Sequence, residues 1–365
     1  MGFYFNPDSG SFRSDTSGRI YVDKTGLLAV LNGVLGTPDK CIALSHARRF
    51  GKSQAAGMID AYYSRGADSR ALFAKYNIAT APDFEKHLNK YNVIHLDISS
   101  IADSHKEKLV DDIMNRLLDD FREEYADCCG SGVIERILAA IHRKSGAPFV
   151  IIIDEWDCVV RNHADRPDLV HRYMQFLHSI FKSEEAKNFL ALGYITGILP
   201  IKKVHDESAL NNFREYTMVD SYELTPYFGF TEDEVRALCA TDGMDFDSLK
   251  KWYDGYRISG HAMYNPNSVC LALWRKKLDT WWKNTSSFET INDLITLNFD
   301  GLKADVLAML AGGKASVNPQ TFQNDLTVIN SRDDALTALI HLGYLGYDSD
   351  RGAAYIPNYE VCAAF

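Results

Sequence analysis

Paired cysteines are the first thing this sequence lacks. Its seven cysteines (Cys41, Cys128, Cys129, Cys158, Cys239, Cys270 and Cys362) are odd in number and scattered, with no CxxC pair and no Cys/His cluster. That pattern argues against a disulfide framework and a structural zinc site, and fits a reducing cytoplasm best. Long apolar runs are missing too. The longest, at 149–153 and 189–199, fall far short of the roughly 20 residues that a membrane-spanning helix needs. The N-terminal MGFYFNPDSGSFRSD has no apolar core of a secretory signal. Nor is there an excess of base: 39 Lys and Arg face 49 Asp and Glu, a net charge of −10. An acidic chain is a poor candidate for indiscriminate binding to nucleic acid or to a membrane surface, which leaves only a local basic patch for such contacts. Repeats and low-complexity linkers are absent as well.

What is present is ordinary globular composition, 46% hydrophobic and 24% charged over 365 residues, long enough for two or three domains. The short apolar runs read as strands buried on both faces, as in a parallel sheet. Strands are expected at 41–44, 92–98, 149–153 and 190–198, with a fifth candidate at 218–224. A helix is expected after Gly51, another over 105–125 and a third over 169–181. In the second of these, Leu109, Ile113 and Leu117 share one face, with Val110, Met114, Leu118 and Phe121 beside them, the spacing of a helix packed on a sheet. Strand–helix alternation of this kind predicts an α/β domain with a parallel sheet flanked by helices. Near Pro226 the pattern changes. Thr231-Glu232-Asp233-Glu234 is a capping box that opens a helix, and helices dominate from there. A helix over 333–342 followed by strand-like pieces at 344–347 and 354–356 suits a small winged-helix-like module. The expected organisation is an α/β domain over 1–226 and a smaller, mainly helical or winged-helix-like region over 227–365.

The segment 44–53, LSHARRFGKS, runs from a strand through a turn into a helix. Backbone N–H groups at a helix N-terminus supply donors and a favourable dipole to phosphates. Lys52 can set its ammonium against the β- and γ-phosphates, and the Ser53 hydroxyl can ligate Mg²⁺. Gly51 allows close backbone approach, and Phe50 completes the loop. The full pattern GxxxxGK[ST] asks for glycine where this chain has His46, so the loop alone is equally an ordinary helix start with a surface lysine. A second motif strengthens it. In FVIIIDE, 149–155, a buried strand delivers two carboxylates to its C-terminal end, the edge at which open α/β sheets bind ligands. Asp154 is the candidate for holding Mg²⁺, and Glu155 the candidate base for the attacking water. The bland alternative is a pair of acids capping a strand in a solvated loop. Thr196, at the end of the next strand, is either a sensor of the γ-phosphate or a threonine satisfied by the backbone. Arg48 and Arg49 can fork onto phosphate oxygens, and Arg49 is the candidate for an arginine finger supplied in cis. The alternative for both is pairing with surface acids.

These residues belong to an ordered set: YVDKTGLL at 21–28, RRFGKS at 48–53, IIIDEWD at 151–157, YITGI at 194–198, ALNNF at 209–213, GFTEDEV at 229–235, WYDGY at 252–256, YNPNSV at 264–269, WWKNTSS at 281–287 and YIPNYEV at 355–361. With them the chain resembles the predicted AAA-ATPase-like family of bacteria and archaea, whose members often carry a PD-(D/E)XK nuclease-like domain after the ATPase. The resemblance implies a P-loop fold with a catalytic glutamate, Mg-ATP as ligand and a C-terminal lid. It supports Lys52, Ser53, Asp154 and Glu155 in the roles above and adds Tyr21 as a candidate for stacking on adenine, against a plainer role in pinning the N-terminal segment. The family's loop also lacks the first glycine. Departures are His46-Ala47 in place of Arg-Pro, Leu199-Pro200 in place of Ser-Arg, and Trp156 in place of Tyr. The loss of arginine at 200 puts a sensor arginine there in doubt. The nuclease-like domain is expected to be absent from this chain. The function implied is Mg-dependent ATP binding and hydrolysis by a cytoplasmic ATPase that regulates or drives an attached or partner effector, with DNA and a second copy of the chain as further possible partners and no membrane. A nucleotide-binding scaffold that scarcely turns ATP over and a small-molecule kinase are the competing readings.

Overall fold

The structure, a computed structural model, describes residues 2–104, 108–201, 210–281, 294–296, 298–326, 328–363 and 365. The chain divides into two compact units. The first takes Met1–Leu44 and Lys52–Gly197 as its bulk. The second takes Ser45–Gly51, a short stretch from Ile198, and Tyr216–Phe365. The sequence boundary drawn at 226 thus falls inside the main segment of the second unit.

The first unit is built on a five-stranded, all-parallel sheet flanked by helices, a P-loop NTPase fold. Its strands are β1 (Cys41–Ser45), β2 (Asn92–Asp97), β3 (Phe149–Asp154), β4 (Leu190–Gly197) and β5 (Arg214–Thr217), in the spatial order β2-β3-β4-β1-β5. β1, β3 and β4 are buried at every residue, as expected of strands covered by helices on both faces. β4 lies between β3 and β1, so the end of β4 stands next to the end of β3 at the C-terminal edge. β2 is an edge strand, and the N-terminal segment covers it. Phe5 bridges Ile94, the Asn6 N–H donates to the Val93 carbonyl at 2.8 Å, and Asn6 Oδ1 accepts from the Val93 N–H at 2.8 Å. Covering an edge in this way removes a template for unwanted pairing. The helix Leu109–Tyr125 buries Leu109, Ile113, Leu117, Phe121 and Tyr125, one residue per turn on the face its spacing predicts. The first three residues of the expected helix, 105–107, lie outside the described residues.

One strand differs from expectation. The fifth strand is Arg214–Thr217, not 218–224. The Thr217 N–H donates to the Asp220 carbonyl at 2.7 Å, a tight turn that ends the strand. Residues Tyr222–Tyr227 then form a 3₁₀ turn containing Pro226, a residue that cannot donate to a ladder.

The second unit carries helices and two small antiparallel sheets. β6 (Phe230–Thr231), β8 (His261–Tyr264) and β7 (Tyr256–Ile258) form one. The helix Arg332–Leu342 is followed by the hairpin β10 (Gly346–Asp348) and β11 (Ala353–Tyr355), to which β9 (Ala315–Ser316) adds. The core of this unit gathers Phe50, Met218, Tyr256, Met263, Phe322 and Leu339, all buried. Its first helix, Glu232–Asp242, has the expected capping box. Glu234 N donates to Thr231 Oγ1 at 3.4 Å and Thr231 N to Glu234 Oε2 at 2.7 Å. Thr231→Ala removes the first of these bonds and should cost about 1 kcal/mol. Urea unfolding checks this as a lowered midpoint at unchanged m.

Candidate nucleotide site

The first unit brings Lys52, Ser53, Asp154, Glu155 and Thr196 to the strand ends and the helix that follows β1. Ser53 is exposed and Lys52 is buried at the start of the helix Lys52–Tyr63. Burial pushes the Lys52 pKa below the ordinary lysine range, while Glu155, Asp154 and Asp157 push it back up. A desolvated ammonium held among carboxylates is well suited to meet a further anion, since a dry setting strengthens every charge interaction.

Asp154 ends β3 in register with Asp97 on β2. On the other side Ile153 pairs with Ile195, which puts Thr196 beside Asp154. The Thr196 hydroxyl makes a close hydrogen bond to Asp154 Oδ1, and the Glu155 N–H donates to the same oxygen at 3.1 Å. Thr196 is therefore bound to a carboxylate rather than to a backbone carbonyl. Asp154 Oδ2 accepts no hydrogen bond from any described residue. One carboxylate oxygen is thus fixed and the other open, a donor set that fits Mg²⁺, which takes one or two protein oxygens and completes its shell with water and phosphate. Among the described residues no group of three or more His, Cys, Asp or Glu could hold a metal by itself. Mg²⁺ would then be held jointly with phosphate, through Asp154 and Ser53.

Glu155 has φ +52, a left-handed conformation that costs a non-glycine residue free energy and is kept only where its surroundings enforce it. The next residue supplies that enforcement. The Trp156 N–H donates to the Thr196 carbonyl at 2.9 Å, and the Trp156 carbonyl accepts from the Tyr173 hydroxyl at 3.0 Å. With the Trp156 backbone pinned at both ends, the chain must turn sharply at Glu155. Burial raises the Glu155 pKa, Lys52 lowers it, and Asp157 and Asp154 raise it again, for a net position above the usual glutamate range.

Two residues at this site escaped the sequence reading. Arg161 Nη2 stands 3.4 Å from Glu155 Oε2, and Arg161 Nε donates to Asp157 Oδ2 at 3.0 Å. Burial works to lower the Arg161 pKa, but Asp157 and Glu155 outweigh it. The available signal was the spacing of Asp157 and Arg161, four residues apart, which suits an i,i+4 pair on a helix.

The remaining loop residues belong to the second unit and join Lys52 through the chain. Arg48 and Arg49 are exposed and Phe50 is buried. Partial burial and the neighbouring Arg48 charge lower the Arg49 pKa. His46 is wholly buried, with Nε2 2.5 Å from Ser221 Oγ and its ring against Phe50 and Phe228. Its φ is not positive, so the backbone there makes no demand for glycine and the side chain has a place of its own. Tyr21 packs on Phe12 and Tyr76 in the first unit, and none of the strand-end residues is among its ring partners.

Residues 11–205 match the model of a family described as predicted AAA-ATPase. A curated protein of Azotobacter chroococcum mcd 1, named as an uncharacterized protein in the vnfD 5′ region, is 27% identical over 165 residues. That match covers 44% of this chain and 31% of the relative, so the chain spans about a third of that protein's length. Among the described residues no helix is long and apolar enough to cross a membrane.

Proposed function

The chain belongs to the predicted AAA-ATPases, whose family model spans more than half of it, and from that premise we propose that it binds Mg-ATP at the loop–helix junction 48–53 and hydrolyses it. The observation that carries the reading is a buried Lys52 within charge reach of Asp154 and Glu155 at the C-terminal edge of a parallel sheet. Lys52 pairs with the β- and γ-phosphates, helped by the loop N–H groups and by Arg48 and Arg49. Ser53 and Asp154 would hold Mg²⁺, which when bound would supply charge neutralisation and orientation of the phosphates. Thr196 fixes one oxygen of Asp154 and so the direction of the other. Glu155 in its ionised form takes the proton of the attacking water, and the strained backbone at 155 sets where its carboxylate lies. Tyr21 is the proposed adenine contact. Hydrolysis of this kind would regulate or drive an attached or partner effector in the cytoplasm, with DNA and a second copy of the chain as candidate partners.

A second reading is a nucleotide-held switch that does not turn over. The ion pair of Arg161 with Glu155 favours it, because a base held by a cation is a poorer proton acceptor. Calorimetric titration with Mg-ATP and a phosphate-release assay separate the two. Turnover requires binding that weakens when Mg²⁺ is chelated, together with Mg-dependent release. Binding without release supports the switch, and no binding at all rejects both.

A further inference from the structure

The segment 45–51 packs as part of the second unit, and its backbone is held there at two carbonyls. Asn265 Nδ2 donates to the Arg48 carbonyl at 3.2 Å, and the Gly229 N–H donates to the Phe50 carbonyl at 3.0 Å. The described residues contain no cis peptide, and in a planar trans peptide the carbonyl of one residue and the N–H of the next point in opposite directions. The N–H groups of Arg49 and Gly51 are therefore turned away from Asn265 and Gly229. φ is +64 at Arg49 and +89 at Gly51, and it is not positive at Arg48 or Phe50. Alternation of this kind makes neighbouring N–H groups converge into an anion-binding concavity.

Phe50 anchors the turn. It is fully buried, with its ring 5.4 Å from Tyr256 at 86°. Gly229, at φ +90, lies so close that a Cβ there would stand 3.1 Å from the Phe50 ring and 3.1 Å from the Tyr264 carbonyl. Three segments with no role in the site described above, GFTEDEV, WYDGY and YNPNSV, thus supply Gly229, Tyr256 and Asn265 to one loop.

Asn265 has two tasks. Its Oδ1 accepts from the N–H groups of Asn267 and Ser268 at 3.0 and 3.3 Å, capping the helix Pro266–Arg275. Its Nδ2 faces the loop. Asn265 is 2% exposed, so its side chain is held by its surroundings and its amide donor has a fixed direction.

Resting on the Mg-ATP reading above, we infer that Asn265 is a positioning residue for nucleotide binding: it holds the Arg48 carbonyl so that the Arg49 and Gly51 N–H groups stay aimed at the phosphates. Serine and aspartate both cap helices well, so Asn265→Ser and Asn265→Asp keep the capping acceptor and remove the amide Nδ2 that reaches the Arg48 carbonyl, and the serine variant adds no charge. The experiment is calorimetric titration of the full chain and both variants with Mg-ATP, alongside thermal melting and Lys52→Ala. The inference expects Kd to rise about tenfold, the effect of one hydrogen bond, with melting unchanged in at least one variant. Wild-type affinity in both variants overturns it, as does a loss of affinity that only accompanies a loss of melting temperature in both. If Lys52→Ala loses binding while the Asn265 variants keep it, this inference fails alone. If Lys52→Ala binds as well as wild type, or the wild type does not bind, the phosphate-loop reading fails and takes this inference with it.

Discussion

Lys52→Ala should lose Mg-ATP binding almost entirely, with Kd rising by at least two orders of magnitude. The size follows from burial. An ammonium in water contributes little to a phosphate contact because solvent screens it, but Lys52 is 4% exposed and already desolvated, so no further dehydration opposes the contact with phosphate. Removing one member of a buried, hydrogen-bonded charge pair costs about 2–5 kcal/mol, and each 1.4 kcal/mol is about tenfold in Kd. The variant also removes a positive charge from beside Asp154, Glu155 and Asp157, leaving Arg161 beside Glu155 and Asp157. Three carboxylates that face the incoming phosphates with one counter-charge fewer deepen the loss. Lys52→Met, which keeps most of the stem volume, separates charge from packing: it should melt no lower than the alanine variant and bind no better. Calorimetry checks both, and unchanged affinity in either would remove the phosphate role from this loop.

Much of this arrangement was legible in the sequence because it is local. An apolar run of β-branched residues ending in two acids specifies a buried strand with carboxylates at its tip, and β3 is that strand. One apolar residue per turn from Leu109 to Tyr125 specifies the buried face of its helix. Thr231 and Glu234 announce their cap. Harder to read is whatever depends on residues far apart in the chain. His46 looks like a defect in a glycine-demanding motif, yet it is a core side chain whose partner, Ser221, lies 175 positions away. Asn265 stands in YNPNSV with nothing local to mark its bond to Arg48, which spans 217 positions. The fifth strand was misplaced because Met218 and Val219 are more apolar than the short strand Arg214–Thr217, which buries only Tyr216. Strands of two to four residues, such as β6 to β9, are too short for any period to register.

Glu155→Gln should bind Mg-ATP like the wild type and release phosphate slower by a factor of about 10²–10⁴, the usual contribution of a positioned general base. The amide keeps the shape of the side chain and its backbone conformation, so binding and chemistry separate. The same substitution should raise the melting temperature at neutral pH. Folded Glu155 has its pKa raised by burial, so it holds its proton to a higher pH than the unfolded chain does. Between the unfolded and folded values the native state binds more protons, and stability falls as pH rises through that window. Above it, Glu155 is a partly buried charge that costs stability, and glutamine removes the charge. The loss of the Arg161 contact at 3.4 Å offsets part of the gain, while the Asp157 bond at 3.0 Å keeps Arg161 paired. Activity runs the other way: the base works ionised, so wild-type turnover should be lost as pH falls through the raised Glu155 pKa and should plateau above it. A variant that releases phosphate at the wild-type rate would show that Glu155 is not the base. One that stops turnover but melts lower than wild type would show that the carboxylate stabilises the fold through Arg161 more than its burial costs.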